Sequence, residues 1–402
     1  MKHTLDRQGI AAGVLILAIG LSVRYPITSV SALLSSIGTE YGLTAAGLAT
    51  LTSIPVLLFG LASPLAPFLV SRLGLQRTIS LLLALLAVAT LLRPLNSELL
   101  FLGTVVVGAT IALLGILAPQ IIRETLPHRV GLWTGIYTTS FGLSAASGAA
   151  LAIPILHVLD DRVSAALMVW GIPLCISLGL AIAFGPRLGS SLRPTRPNRA
   201  DRPPSVFRAR GLWAVTGFFG CQALIYFTLT SWLPAIAADR GMAAADAGLL
   251  LAWMSIAGLP ASLLAPLIAA RPRLRVPFTA GVAVVSFCGL LSLAFGPIAL
   301  APASVALLGL AQSAAFGLSI AFIVFTAPSV RQTASFSAVS QGLGYIFAAA
   351  GPLLMGFLAQ AGVQWSANLA LLAGVAVLEG IFGVLSARTS LTAAALRAPG
   401  AG

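Results

Sequence analysis

Charge is what this chain has least of. Only 8% of its 402 residues are charged, against about 25 % in a soluble domain, so a soluble enzyme or binding module is excluded. Acids are scarcer than bases, 10 Asp and Glu against 23 Lys and Arg, and there are only 3 histidines. Its 3 cysteines, Cys175, Cys221 and Cys288, fall inside apolar stretches, which excludes a disulfide framework and a thiolate metal site. No Ser/His/Asp grouping, metal-ligand spacing or phosphate-cradling glycine loop with lysine is present. No catalytic residue, metal or cofactor is therefore expected, and any pumping must draw on a gradient rather than ATP.

What the chain has in excess is apolar surface: 58% hydrophobic residues and a mean hydropathy of +1.01. A net charge of +13 would suggest nucleic acid in a soluble protein. Here the bases collect in loops, as in membrane proteins, and no nucleic-acid partner is expected.

Crossing a bilayer takes about 20 residues at roughly 1.5 Å each. Apolar runs of that length predict twelve spans, at 9–37, 44–70, 76–95, 98–122, 130–157, 162–186, 211–236, 243–270, 274–295, 298–327, 332–360 and 364–387. The first is long and lacks a small-residue cleavage site, so it reads as a retained helix and not a signal peptide. An even count puts both termini on one side. Lys2, Arg7, Arg72, Arg77, Arg123, Arg129, seven arginines between 187 and 210, Arg271, Arg273, Arg275, Arg331, Arg388 and Arg397 all fall on that side. The other side carries Glu40, Glu98, Asp160, Asp161, Asp239 and Asp246, with Arg93, Arg162 and Arg240 as its positives. Both termini are thus expected in the cytoplasm.

Residues 187–210, rich in Pro, Arg and Ser, form the one long polar segment. They read as a cytoplasmic linker between six-span halves, 1–186 and 211–402. The halves repeat each other. Leu65-Ala-Pro-Phe-Leu69 returns as Leu264-Ala-Pro-Leu-Ile268, Glu40-Tyr-Gly-Leu as Asp239-Arg-Gly-Met, and Ala46-Gly-Leu as Ala247-Gly-Leu. Their shared offset and depth indicate a parallel repeat, as in transporters whose halves rock about a central site. Small residues at helical spacing in the fifth span (Gly131, Gly135, Gly142, Ala146, Ser144, Gly148) and the eleventh (Gly344, Ala348, Pro352) predict close helix contacts.

Arg24 lies near the middle of the first span. A guanidinium cannot shed its proton, so at that depth it must face protein, water or a counter-ion. One reading makes it a structural tie to neighbouring carbonyls. The other, the default for intramembrane charges, makes it face substrate. Gly20, Thr28, Ser31 and Ser35 share its helical face, and Pro26 predicts a kink beside it. Other polar or aromatic side chains expected at mid-membrane are Tyr137, Gln222 with Tyr226, Trp253, Gln312, and Gln341 with Tyr345. Each either cross-links helices or lines a wet cavity. With Arg24 they suit a small, planar, anionic or highly polar solute. Glu379, the sole acid inside a span, has two readings, a proton relay, as membrane carboxylates often serve, or a structural role. The second is expected, because it lies toward the cytoplasmic end, within reach of water or an arginine, and a single site gives no relay. His157 reads as interfacial.

These residues resemble a known family. Two six-helix halves and a basic linker are similar to the major facilitator superfamily. Ser71-Arg-Leu-Gly-Leu-Gln-Arg77 resembles its loop motif, with Arg72, Gly74 and Arg77 in place but Ser71 where an Asp is usual. More narrowly, Arg24-Tyr-Pro-Ile-Thr-Ser-Val, Leu33-Leu34, Leu91-Leu-Arg93, Gln222 through Ser231-Trp-Leu-Pro-Ala235 and Gln341-Gly-Leu-Gly-Tyr345 resemble the cyanate and 2-nitroimidazole transporter family. That family usually has Asn two places before the arginine and Pro directly after it; here stand Ser22 and Tyr25, which predicts a reshaped pocket. The resemblance implies a monomeric secondary transporter of the bacterial inner membrane, with a cavity lined chiefly by spans one, four, seven and ten. Within the superfamily the alternative is a drug or metabolite exporter. A channel or membrane-embedded enzyme leaves the parallel repeat unexplained.

Overall fold

The computed structural model describes residues 7–62, 64–188, 206–242, 244–329 and 332–395. Lys2, Arg331, Arg397 and most of the expected linker, 189–205, lie outside the described residues, as does the side chain of Ser35. Every regular element among them is helical. The first span is broken twice, into α1 (Arg7–Ser22), α2 (Tyr25–Ala32) and α3 (Leu34–Tyr41). The second joins α4 (Ala45–Leu61) and α5 (Leu65–Leu73), which meet at 62°. Spans three to five are α6 (Leu75–Leu92), α7 (Ser97–Thr125) and α8 (Val130–Val158), and the sixth is α9 (Val163–Met168) with α10 (Gly171–Phe184). Spans seven to twelve are α11 (Leu212–Asp239), α12 (Ala244–Ala269), α13 (Pro272–Phe295), α14 (Ala301–Thr326), α15 (Thr333–Gln360) and α16 (Trp365–Ala395). Counting the bent pair as one, the expected twelve spans are present.

The sequence repeat has a structural cause. Gly42 and Gly241 close the turns after the first and seventh spans with φ of 62° and 85°, a left-handed conformation in which a Cβ would be strained. Helix pairing repeats as well. Spans one and five, two and four, and three and six pack together, and so do seven and eleven, eight and ten, and nine and twelve. Between the halves, α8 packs on α12 and α4 on α15. The small residues of the fifth span mark the first of these seams: a Cβ on Gly135 would lie 2.6 Å from the Leu263 carbonyl. The outward surface is apolar, with Leu102, Ile176 and Val284 each 60% exposed, as a surface solvated by lipid must be.

Hydrogen bonds between the halves gather toward the side where α1 begins and α16 ends. Arg123 donates to the Ala327 carbonyl (2.9 Å) and to Thr333 Oγ1 (2.8 Å). Ser337 reaches the Ile116 carbonyl at 3.4 Å. Nearer the centre, Thr138 donates to the Ser262 carbonyl (2.6 Å) and Ser262 to Thr139 (3.0 Å). On that face the motif loop turns inward on itself: Ser71 bonds the Phe68 carbonyl, Arg72 lies over the Phe68 ring, Gly74 has φ 79°, and Arg77 is exposed.

Several bases are not loop charges. Arg93, expected on the far surface, is buried and donates to the Pro26 carbonyl at 2.7 Å. Arg240 caps the end of α13 through the Leu293 and Gly296 carbonyls. Arg275 is buried against the Ala269 carbonyl and Ser390.

Candidate substrate cavity

The expected kink at Pro26 is in fact a break before it. Pro26 occupies the first turn of α2, where its missing N–H costs nothing and its fixed φ suits a helix start. The chain leaves α1 at Ser22 and passes through Val23 and Arg24. The amide hydrogens this exposes at Arg24 and Tyr25 are both taken by Ser144 Oγ, at 3.2 and 3.0 Å, and the same hydroxyl donates to the Leu21 carbonyl at 2.7 Å. One serine of the fifth span thus holds the break, satisfying groups that hydrocarbon would leave unpaired. Gly148, one turn along α8, lets the Tyr25 backbone approach.

The break aims the Arg24 side chain into a cavity between the halves. Its guanidinium carbon lies 4.6 Å from the ring centre of Phe141, 4.8 Å from Phe227 and 5.1 Å from Tyr226. Arg24 is 4% exposed, and its Nε has no hydrogen-bond partner. Among the described residues no carboxylate lines the cavity beside it. Cation–π contacts are worth about 0.5–2 kcal/mol each, whereas burying a charge costs several kcal/mol after relaxation. The rings therefore offset only part of that cost. An anion in the cavity would offset the rest.

The cavity is lined from six spans: one, five, seven, eight, ten and eleven. Of the residues expected at the site, Arg24, Gln222, Tyr226, Gln312 and Tyr345 line it. Tyr137 and Gln341, again with Tyr345, line a smaller adjoining space, and that is where the fourth span contributes, through Ile111, Ala112 and Gly115. Phe141 and Phe316, with ring centres 4.7 Å apart, border both spaces and separate them.

Two expectations are corrected. Thr28 does not line either space; its hydroxyl bonds the Arg24 carbonyl at 3.2 Å, and it packs where a Gly148 side chain would stand. Trp253 points outward, 45% exposed, with its indole N–H on the Pro302 carbonyl at 3.0 Å. Central depth alone does not set which face a residue takes. Trp253→Phe should change substrate affinity by less than about twofold and cost about 1 kcal/mol for the lost bond; equilibrium binding and thermal unfolding check this.

The departures at Ser22 and Tyr25 are accommodated away from Arg24. Ser22 bonds the Ala18 carbonyl, and the Tyr25 ring stacks on Trp170 at 5.1 Å. Missed from the sequence were the aromatic walls Phe141, Phe219, Phe227 and Phe316. Helical spacing could have found them, since Phe141 follows Tyr137 by four residues and Phe316 follows Gln312 by four.

Comparison with known proteins agrees with this architecture. The Major Facilitator Superfamily model matches residues 10–349. The chain is 34% identical over 385 residues to the 2-nitroimidazole transporter of Escherichia coli (strain K12), covering 95% of this chain and 96% of that one. It is 26% identical to the cyanate transport protein CynX of the same organism, over 85% of this chain and 88% of the relative. In fold it is similar to the human organic anion transporter MFSD10, with a TM-score of 0.75 at 14% identity over 94% of this chain and 99% of that one. The chain belongs to the Major Facilitator Superfamily, as a multi-pass membrane protein and secondary transporter of a small molecule.

Proposed function

We propose that the Arg24 cavity carries a small anionic or highly polar planar solute, of the cyanate, nitroimidazole or small organic anion kind. Transport proceeds by rocking of residues 1–186 against 211–402 about the linker 187–210, with both termini in the cytoplasm of a bacterial inner membrane and the whole site within one protomer. The observation that carries this reading is a buried guanidinium under three aromatic rings, with no carboxylate beside it, opening into the cavity. A linear or planar anion can accept from the guanidinium fork while its faces meet rings. An exporter of cationic drugs fits poorly, because no acid lines the cavity.

Arg123, holding Ala327 and Thr333 across the seam, closes the cytoplasmic side in this reading. The usual acidic residue of the motif loop is replaced by Ser71, and this cross-seam arginine does the holding. Alternating access then requires those bonds to break as the far side closes.

The orientation has its own test. A reporter active only outside the cytoplasm should be active when fused after Asp160 or Asp246 and silent within 194–204. The reverse pattern overturns the topology. For the site itself, thermal stabilisation of purified protein by cyanate and by 2-nitroimidazole, repeated with Arg24 variants, decides the matter.

A further inference from the structure

Glu379 is not where its sequence context suggests. It lies midway along α16, fully buried, with no arginine or water-exposed surface beside it. The Glu379 carboxyl hydrogen-bonds the Ser286 hydroxyl and meets Gln312 Nε2 at a long 3.5 Å, while its Oε1 has no partner. Gln312 spends the same amide nitrogen on Ser286 Oγ at 2.7 Å, and its own oxygen also lacks a donor. Two buried acceptors therefore stand at one cluster, short of a donor and, if Glu379 is ionised, of a compensating charge.

Nothing packed around Glu379 supplies that charge. On α13 the neighbour is Ser286, while Arg273 and Arg275 sit at the distant end, Arg275 already bonded to Ala269 and Ser390. From α11 comes the Cys221 thiol. Helix α14 bears no titratable residue, Tyr345 of α15 belongs to the aromatic wall, and Arg388 of α16 is exposed two turns and more away.

The cluster is nevertheless tied to the substrate cavity. Gln312 lines that cavity, and its backbone carbonyl accepts from Gln222 Nε2 at 3.2 Å, which lines it too. We propose that Glu379 with Gln312 is a proton-binding site of the transport cycle, loaded from water in the cavity and coupled to the anion held at Arg24. A hydronium ion gives a proton to a Glu379 oxygen and leaves as water; the new O–H supplies the donor that the Gln312 oxygen lacks. On the opposite side the proton returns to water. With the anion on the fixed positive charge and the proton on the carboxylate, the loaded protein carries no uncompensated buried charge. By linkage, each ligand strengthens binding of the other by the same factor. This rests on the anion reading of the cavity. It also replaces the structural role that an offset, solvent-accessible Glu379 would have had.

Two measurements decide it. Infrared difference spectra of the wild type against Glu379→Gln, both in liposomes at neutral pH, should show a carboxylic-acid carbonyl band that the substitution removes. Absence of that band at every pH the folded protein tolerates means Glu379 binds no proton and overturns the proposal whatever the substrate is. In proteoliposomes, wild-type protein should accumulate labelled cyanate under a pH gradient and not under a sodium gradient. Glu379→Gln should lose that accumulation and still exchange cyanate without a gradient. Gradient-driven accumulation by the variant at the wild-type level, or accumulation driven by sodium, also overturns it. Failure of wild-type protein to exchange cyanate or 2-nitroimidazole would instead count against the cavity's anion role, with the infrared band still ruling on the proton.

Discussion

Arg24→Ala is expected to reduce stabilisation by cyanate and 2-nitroimidazole sharply while leaving the unliganded protein as stable as the wild type, or more so. Hydrogen bonds to charged groups contribute about 1.5–3 kcal/mol, so losing the fork should weaken binding by roughly tenfold to a hundredfold or more. Arg24→Lys should retain part of the affinity, since an ammonium keeps the charge and loses the planar pair of donors. The stability half of the prediction separates two roles. The Arg24 guanidinium has no carboxylate partner, and the helix break is held through its backbone by Ser144. Deleting the side chain therefore strands no counter-charge and relieves a desolvated one. A structural arginine tying helices together would behave oppositely, with a large fall in unfolding temperature. Ligand at a hundred times its dissociation constant adds about 2.7 kcal/mol to the wild type, which is readily resolved in a melting curve.

Gly148→Ala is expected to impair transport severely, although it adds one methyl group. That carbon would lie 2.2 Å from Thr28 Oγ1 and 2.7 Å from the Tyr25 Cα. The hydroxyl can rotate away, but the backbone cannot. The start of α2 must then move outward, and Arg24 with it. Overpacking of this kind costs about 1–3 kcal/mol, and its larger consequence is displacement of the guanidinium from the rings of Phe141 and Phe227. Adding Thr28→Ala should not restore function, because the clash with Tyr25 remains. Recovery of wild-type exchange in the double variant would show that side-chain crowding, and not the backbone, is what matters there.

The twelve spans and their repeat were legible because lipid forces them: about 20 apolar residues per crossing, and left-handed glycines at matched turns. Arg24 was legible for the same reason, as a charge at a depth where charge is costly. The break that aims it was not. Whether the chain kinks at Pro26 or parts before it depends on Ser144, 120 residues away, and local sequence carries no record of that partner. Trp253 and Gln312 show a second limit. Both lie centrally in their spans, yet one faces outward and the other lines the cavity, because these helices are apolar all round and give no stripe from which to read their rotation. Arg93 was placed on the surface by its position at the end of a span; only the fold shows it reaching the Pro26 carbonyl. Glu379 was placed near the cytoplasm by the same reasoning from ends, and the structure puts it at the centre of α16.

A crystal structure of the wild-type protein with selenocyanate, a cyanate congener whose selenium scatters anomalously, tests the anion role of Arg24 most directly. The expected result is one anomalous peak inside the cavity, beside the Arg24 guanidinium and against the rings of Phe141, Tyr226 and Phe227, which vanishes in Arg24→Ala. A peak elsewhere, or one that persists in Arg24→Ala, would contradict it.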